Sequence, residues 1–391
     1  MRGMITPHIK FLAACSYLPH TEEGFLRQRV LLERACATPL DPKILRNGII
    51  RHRIFALADE VLRRHSMTGM LGEFQPALEA RAKKARLQSL RLAAESQRVS
   101  GILSDAGIEH RFIKGPLLSK KIYGDPGLRH SKDLDLLVEP GNVSCALRLL
   151  QEEGWEGIRH NGMWLRSGPY RWIAQRWLRH FGLIQRKKNL NLELHWRVEA
   201  SHDKKMDRAW WTNWEDFDSC VGRAEFLHLC LHGAVHAWIR LKWIGDLQAI
   251  LERNPDLWTE SRTQMGDLGL ELIAAQAILL QQALFDTQLD GDAKRIVERQ
   301  PAALELSNFA LEKLQLESVR IDDSVSKAGA ARRYLWKLNQ RQSRPARILD
   351  FLGFCFVDPE DLEGWDTHAA LLPAISLMRA SKVVRRYCFG R

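Results

Sequence analysis

Ser131-Lys132-Asp133-Leu134-Asp135-Leu136-Leu137-Val138 sets acids and leucines in alternation and then runs into an apolar end. Side chains alternate across a strand, so Asp133 and Asp135 share one face while Leu134 and Leu136 take the other. Such a strand has one face for a core and one for chemistry. Two neighbouring carboxylates repel unless a cation lies between them, and Mg²⁺ takes oxygens of this kind together with substrate phosphates. The pair alone is also what a solvated strand end looks like, so its reading depends on what surrounds it.

Upstream, residues 108–113 read as a strand and Pro116–Tyr123 as a short helix, ended by Asp125-Pro126-Gly127. Between them lies Lys114-Gly115-Pro116. Proline suits the first helical position, Gly115 lets the backbone come close to a ligand, and the free N–H groups of Leu117 and Leu118 then suit an anion. Lys114 adds a full positive charge. The plain alternative is an ordinary strand-to-helix turn with an exposed lysine. Downstream, residues 134–139 form the acidic strand, 142–154 a helix, and 179–186 and 190–198 two strands joined by the turn Lys187-Lys188-Asn189. Glu193 lies on the second of these, with Leu192 and Leu194 facing away from it. It is the candidate third carboxylate of a two-metal site, and His195 shares its face.

The flanks are helical. Residues 22–37, 42–64 and 76–105 carry apolar residues at helical spacing, with a turn-rich stretch at 66–72; beyond residue 201 the same holds for 225–251 and 268–283. The fold class is therefore α+β: a small mixed β-sheet core at 101–200 between an N-terminal helical region, 1–100, and a C-terminal helical domain, 201–391. A basic tail at 327–347 reads as a solvated helix face or as a contact surface for an anionic partner.

The 391 residues carry 58 basic and 47 acidic side chains, a net charge of +11 that favours nucleotides, nucleic acid or an acidic peptide as partners. The seven cysteines are odd in number and form no C-x-x-C pair, which fits a reducing compartment. Leu12-Ala13-Ala14-Cys15 resembles a lipoprotein cleavage box, but Pro7, His8 and Lys10 interrupt the apolar stretch before it. No apolar run is long enough to span a bilayer. A cytoplasmic protein without a membrane partner is expected.

Arg129 stands four residues before Asp133, within reach of a triphosphate, and its fork of donors suits phosphate. Its alternative is a salt bridge to Asp125 or to the metal carboxylates. Lys132, beside Asp133, joins the expected nucleotide-binding set. His228, His232 and His236 are spaced by four and share a helix face. Packing and hydrogen bonding, a zinc site, and a substrate-facing role are three readings of them; in the last, His236 and Arg240 contact the nucleotide or the acceptor.

Taken together, Lys114-Gly115, then Tyr123, Asp125, Pro126 and Arg129, then Asp133-Leu134-Asp135, then Glu193-Leu194-His195-Trp196 resemble nucleotidyltransferases of the nucleotidyltransferase-5 type, within the DNA polymerase β-like superfamily. His232, His236, Trp238, Arg240, Leu241, Trp243 and Asp246 carry the likeness onward, so it covers residues 25–290. The resemblance implies a nucleotidyltransferase core and transfer of a nucleoside monophosphate from an NTP, with Mg²⁺ or Mn²⁺ held by Asp133, Asp135 and Glu193. It implies nucleotide contacts from Lys114, Gly115, Arg129, Lys132, His195, His236 and Arg240. It also implies an accessory role beside the making of small modified peptides, lasso peptides among them, and hence a peptide or small-molecule acceptor; nucleic acid is open but not favoured. Two features depart from the wider pattern. Gly115-Pro116 stands where Gly-Ser or Gly-Gly is usual, and the third acid is Glu193 rather than Asp. An inactive nucleotide-binding, RNA-binding or peptide-docking module on the same fold is the alternative.

Overall fold

The computed structural model describes residues 5–158, 178–198, 204–215, 220–289, 291–315, 377–378 and 381. The basic tail at 327–347 lies outside them. The fold is α+β, with a five-stranded mixed sheet and flanking helices. Its residues group into two compact units. One takes the described residues within Met1–Arg91, Pro116–Ser131 and Asn213–Gln340, the other those within Leu92–Gly115, Lys132–Thr212 and Arg341–Arg391. Described residues from both helical flanks of the sequence thus share one unit.

The sheet belongs to the second unit. Its strands are β1 (His110–Phe112), β2 (Asp133–Val138), β3 (Glu156–Gly157), β4 (His180–Gln185) and β5 (Leu190–His195), in the order β1-β2-β5-β4-β3. The β2–β5 pair is parallel and the other pairs are antiparallel. The acidic strand begins at Asp133, one residue before the expected 134–139, so both aspartates lie within the ladder. One sheet face is apolar throughout: Leu134, Leu136, Val138, Leu190, Leu192 and Leu194 are all buried against Leu92, Val99 and Leu103 of the helix Gln75–Asp105 and Val143, Leu147 and Leu150 of the helix Val143–Glu152. Burying a leucine of this kind stabilises by roughly 1.5–3 kcal/mol. The opposite face carries Asp133, Asp135, Glu193 and His195, with Leu137 buried among them.

In the first unit the helix Pro7–Ala14 packs against Glu22–Cys36, Leu241–Arg253 and Glu271–Phe285. It starts on Thr6, whose Oγ1 accepts from the Ile9 N–H at 3.4 Å, with Pro7 at the first helical position. Leu12, Ala13, Ala14 and Cys15, the stretch that resembles a lipoprotein box, are all buried here.

Two long helical stretches of the sequence are broken. Residues 42–64 form Pro42–His52 and Phe55–Arg64, because Arg53 adopts the left-handed conformation at φ 56°. Residues 225–251 form Arg223–Val235 and Leu241–Arg253, separated by Ala237 and Trp238 at φ 50° and 51°. The second break folds the indole of Trp238 back onto Gly233, where a Cβ would lie 2.3 Å from the ring. Helical periodicity survives both breaks, so the sequence pattern does not show them. Gly233→Ala is therefore expected to destabilise the protein by about 1–3 kcal/mol, the usual cost of overpacking. Urea denaturation of the full chain measures it.

Candidate active site

The site is built on the polar face of the sheet. Asp135 is directly across from Glu193 in the parallel β2–β5 pair, and Asp133 is across from Asn191. His195 follows Glu193 by two residues on the same face, and His180 of β4 stands across from His195. Just beyond β1, the Ile113 N–H donates to the Asp135 carbonyl at 3.1 Å, which carries Lys114 to the same place.

Lys114 Nζ lies 2.9 Å from Asp135 Oδ1, and His195 Nε2 lies 3.3 Å from that same oxygen and 3.1 Å from Glu193 Oε2. Asp135 is buried, at 6% exposed. Burial by itself raises its carboxyl. The Lys114 ammonium and the hydrogen bond with His195 more than reverse this and hold it well below the ordinary carboxylate range. Burial likewise raises Glu193, and His195 and His180 bring it below its ordinary value. Burial, then the neighbouring His195, pushes His180 down to about 3, so its imidazole is neutral at neutral pH. The face thus presents ionised carboxylates, a neutral imidazole and one ammonium. His195 Nε2 can carry only one proton between two carboxylate oxygens. An arrangement of this kind can accept a divalent cation or orient a proton transfer.

The structure therefore brings together Lys114, Asp135, Glu193 and His195, with Asp133 half-buried on the same face. Gly115 follows Lys114 at φ 81°, a conformation that L side chains rarely adopt. The helix Pro116–Tyr123 begins at the expected residue. Lys132 directly precedes β2.

His180 was not among the expected residues, although a signal for it existed. Pairing outward from the turn Lys187-Lys188 matches Gln185 with Leu190 and, five steps further, His180 with His195.

The other expected residues belong to the first unit. Arg129 is 3% exposed, and its Nε lies 2.7 Å from Asp246 Oδ2. Tyr123 Oη donates to the other oxygen of Asp246 at 3.1 Å. Asp125 binds Arg86 at 3.0 Å and accepts from the Gly127 N–H at 2.7 Å. The expected alternative of an Arg129–Asp125 pair is thus replaced by Arg129–Asp246. His236 caps the helix Arg223–Val235, and its ring stacks on Trp243 at 5.3 Å. His228 and His232 pack against Trp214 and Trp243. Among the described residues, the donor atoms that converge as a metal set are those of His180, Glu193 and His195, not those of the helical histidines. Arg240 directly precedes the helix Leu241–Arg253 in extended conformation. Lys242 was also missed. It is buried, donates to the His130 carbonyl at 3.2 Å, and has its ammonium pushed well down by burial and then by Arg129 and Arg240.

A model of the family of uncharacterised nucleotidyltransferases matches residues 39–286. The chain belongs to that family. The match falls inside the expected span of 25–290 and contains every residue placed above. No curated protein and no solved structure matches the chain. Among the described residues, no helix is long and apolar enough to cross a membrane.

The buried ion pair gives Arg129 a structural duty that can be measured. Removing one partner leaves a buried charge unmatched, so Arg129→Ala and Asp246→Ala are each expected to lose about 3–5 kcal/mol. The double variant Arg129→Met, Asp246→Leu should lose clearly less than the sum of the two. Urea denaturation of the four proteins checks this.

Proposed function

We propose that this protein transfers a nucleoside monophosphate from an NTP to a hydroxyl or phosphate acceptor on a modified peptide or small molecule, and that the polar face of the sheet is its catalytic centre. The observation that carries the reading is the convergence of Lys114, Glu193 and His195 on buried Asp135, with Asp133 on the same face, in a chain of this family. The donor set fits a divalent cation. The carboxylates of Asp135 and Glu193 are held below their ordinary values, share one face with Asp133 and need positive charge between them. Asp133, Asp135 and Glu193 would hold Mg²⁺ or Mn²⁺. When bound, such an ion neutralises triphosphate oxygens and makes the attacking group more acidic.

The remaining roles belong to the chain. Lys114, which now neutralises Asp135, offers its ammonium to the triphosphate, and Lys132 adds a second positive charge. Gly115 keeps the backbone after Lys114 free of a side chain, so that phosphate can approach it. His195, held by Glu193 Oε2 at 3.1 Å, takes the proton of the attacking hydroxyl. The acceptor oxygen bonds to the α-phosphorus, the bond from that phosphorus to the bridging oxygen breaks, and pyrophosphate leaves with the electron pair.

The test incubates the full chain with Mg²⁺ or Mn²⁺, each NTP and a panel of peptide and small-molecule acceptors, and measures pyrophosphate. Asp135→Asn and Asp133→Asn should each lower release by roughly a thousandfold or more, and Lys114→Met by about 10²–10³-fold. All three variants should keep the wild-type circular dichroism spectrum. If no NTP raises the thermal midpoint with either metal, or if Asp135→Asn releases pyrophosphate like the wild type, the proposal is wrong.

A further inference from the structure

Glu193 does not face only carboxylates. Across the antiparallel β4–β5 pair, His180 is opposite His195 and Gly182 is opposite Glu193, so two imidazoles and one carboxylate share a patch. The donor atoms of His180, Glu193 and His195 all lie within 4.8 Å of one another. Glu193 Oε2 is 3.1 Å from His195 Nε2 and 3.8 Å from His180 Nε2. Bonds of about 2.0–2.2 Å around a tetrahedral ion set its ligand atoms about 3.3–3.6 Å apart. The two separations from Glu193 bracket that spacing, and side-chain rotation that draws the two imidazoles together closes the site. Asp135 Oδ1, 3.3 Å from His195 Nε2, stands beside it.

The chemistry of the donors selects the ion. Mg²⁺ demands oxygen ligands and keeps its waters. Imidazole favours the later first-row cations, and two imidazoles with one carboxylate leave a coordination position open. We propose that His180, Glu193 and His195 form a site for a borderline divalent transition cation, with Zn²⁺ and Co²⁺ bound ahead of Mn²⁺ and Mg²⁺ bound far more weakly. The site does not require nucleotidyl transfer. Two sets of contacts must change when the ion binds: any proton on His195 Nε2 between Glu193 and Asp135 must leave, and Arg179 Nε, 3.3 Å from His180 Nδ1, must yield because ligation through Nε2 puts the ring proton on that nitrogen.

The experiment titrates the metal-free full chain with Co²⁺ and with Zn²⁺, without nucleotide, by visible absorption and calorimetry, and repeats both in a large excess of Mg²⁺. One equivalent of Co²⁺ should develop visible bands that Zn²⁺ bleaches and Mg²⁺ does not. His180→Ala and His195→Ala should each weaken that equivalent by roughly a hundredfold or more, beyond the 10–100-fold typical of outer-shell changes. His180→Asp should move preference toward Mn²⁺ and Mg²⁺ at unchanged fold, which covers the case in which an alanine variant does not fold. The proposal is overturned if Mg²⁺ displaces Co²⁺ at comparable concentration, or if the histidine variants bind Co²⁺ like the wild type. Pyrophosphate release with Mg²⁺ but no Co²⁺ site would sink this inference alone. A Co²⁺ site without pyrophosphate release would sink the proposed activity alone.

Discussion

A carboxylate that is 6% exposed in the middle of a sheet has to be matched by positive charge, and Asp135 sets that requirement here. An unpaired ion in such a place costs several kcal/mol. Lys114 meets it from the segment just beyond antiparallel β1, and His195 from parallel β5. The register of three strands therefore meets at one oxygen atom. With the charges gathered on one face, Leu134, Leu136, Leu190, Leu192 and Leu194 are committed to the other, and the two helices that cover them follow from that division. The proposed cation site rests on the same requirement.

The first unit rests on a second buried charge. Arg129 and Asp246 are separated by 117 residues, and Tyr123 completes the set by donating to the other carboxylate oxygen. Lys242, one helical turn before Asp246, is pressed between this pair and the cation of Arg240. The stretch from Tyr123 to Arg129 looks like a single motif in sequence, yet its residues divide their partners. Asp125 takes Arg86, whereas Tyr123 and Arg129 take Asp246. A short motif can thus carry architecture as well as chemistry, and the nearest opposite charge in sequence need not be the partner.

Much of the polar face of the sheet was legible before the structure. Alternation at Asp133 and Asp135 placed both on one side, and Leu192 and Leu194 placed Glu193 and His195 on the matching side. The helix start at Pro116 and the hairpin turn at Lys187-Lys188-Asn189 were also read correctly in type and position. His180 was not read, although pairing outward from that turn sets it opposite His195. The helix breaks at Arg53 and at Ala237-Trp238 were missed because an apolar pattern reports which residues are buried, not which backbone turns left-handed. A left-handed arginine, alanine or tryptophan is held there by its surroundings rather than by its own preference.

Sequence by itself determined the fold class, the two faces of the acidic strand, and the carboxylates, lysine and histidine that line it, because these follow from local periodicity and side-chain chemistry. Tertiary structure alone decided the partners. It gave Arg129 to Asp246, folded Trp238 onto Gly233, and brought His180 to Glu193 and His195. The physical reason is that burial makes each charge find its partner in space, and distance in space is set by strand register and helix packing rather than by spacing along the chain.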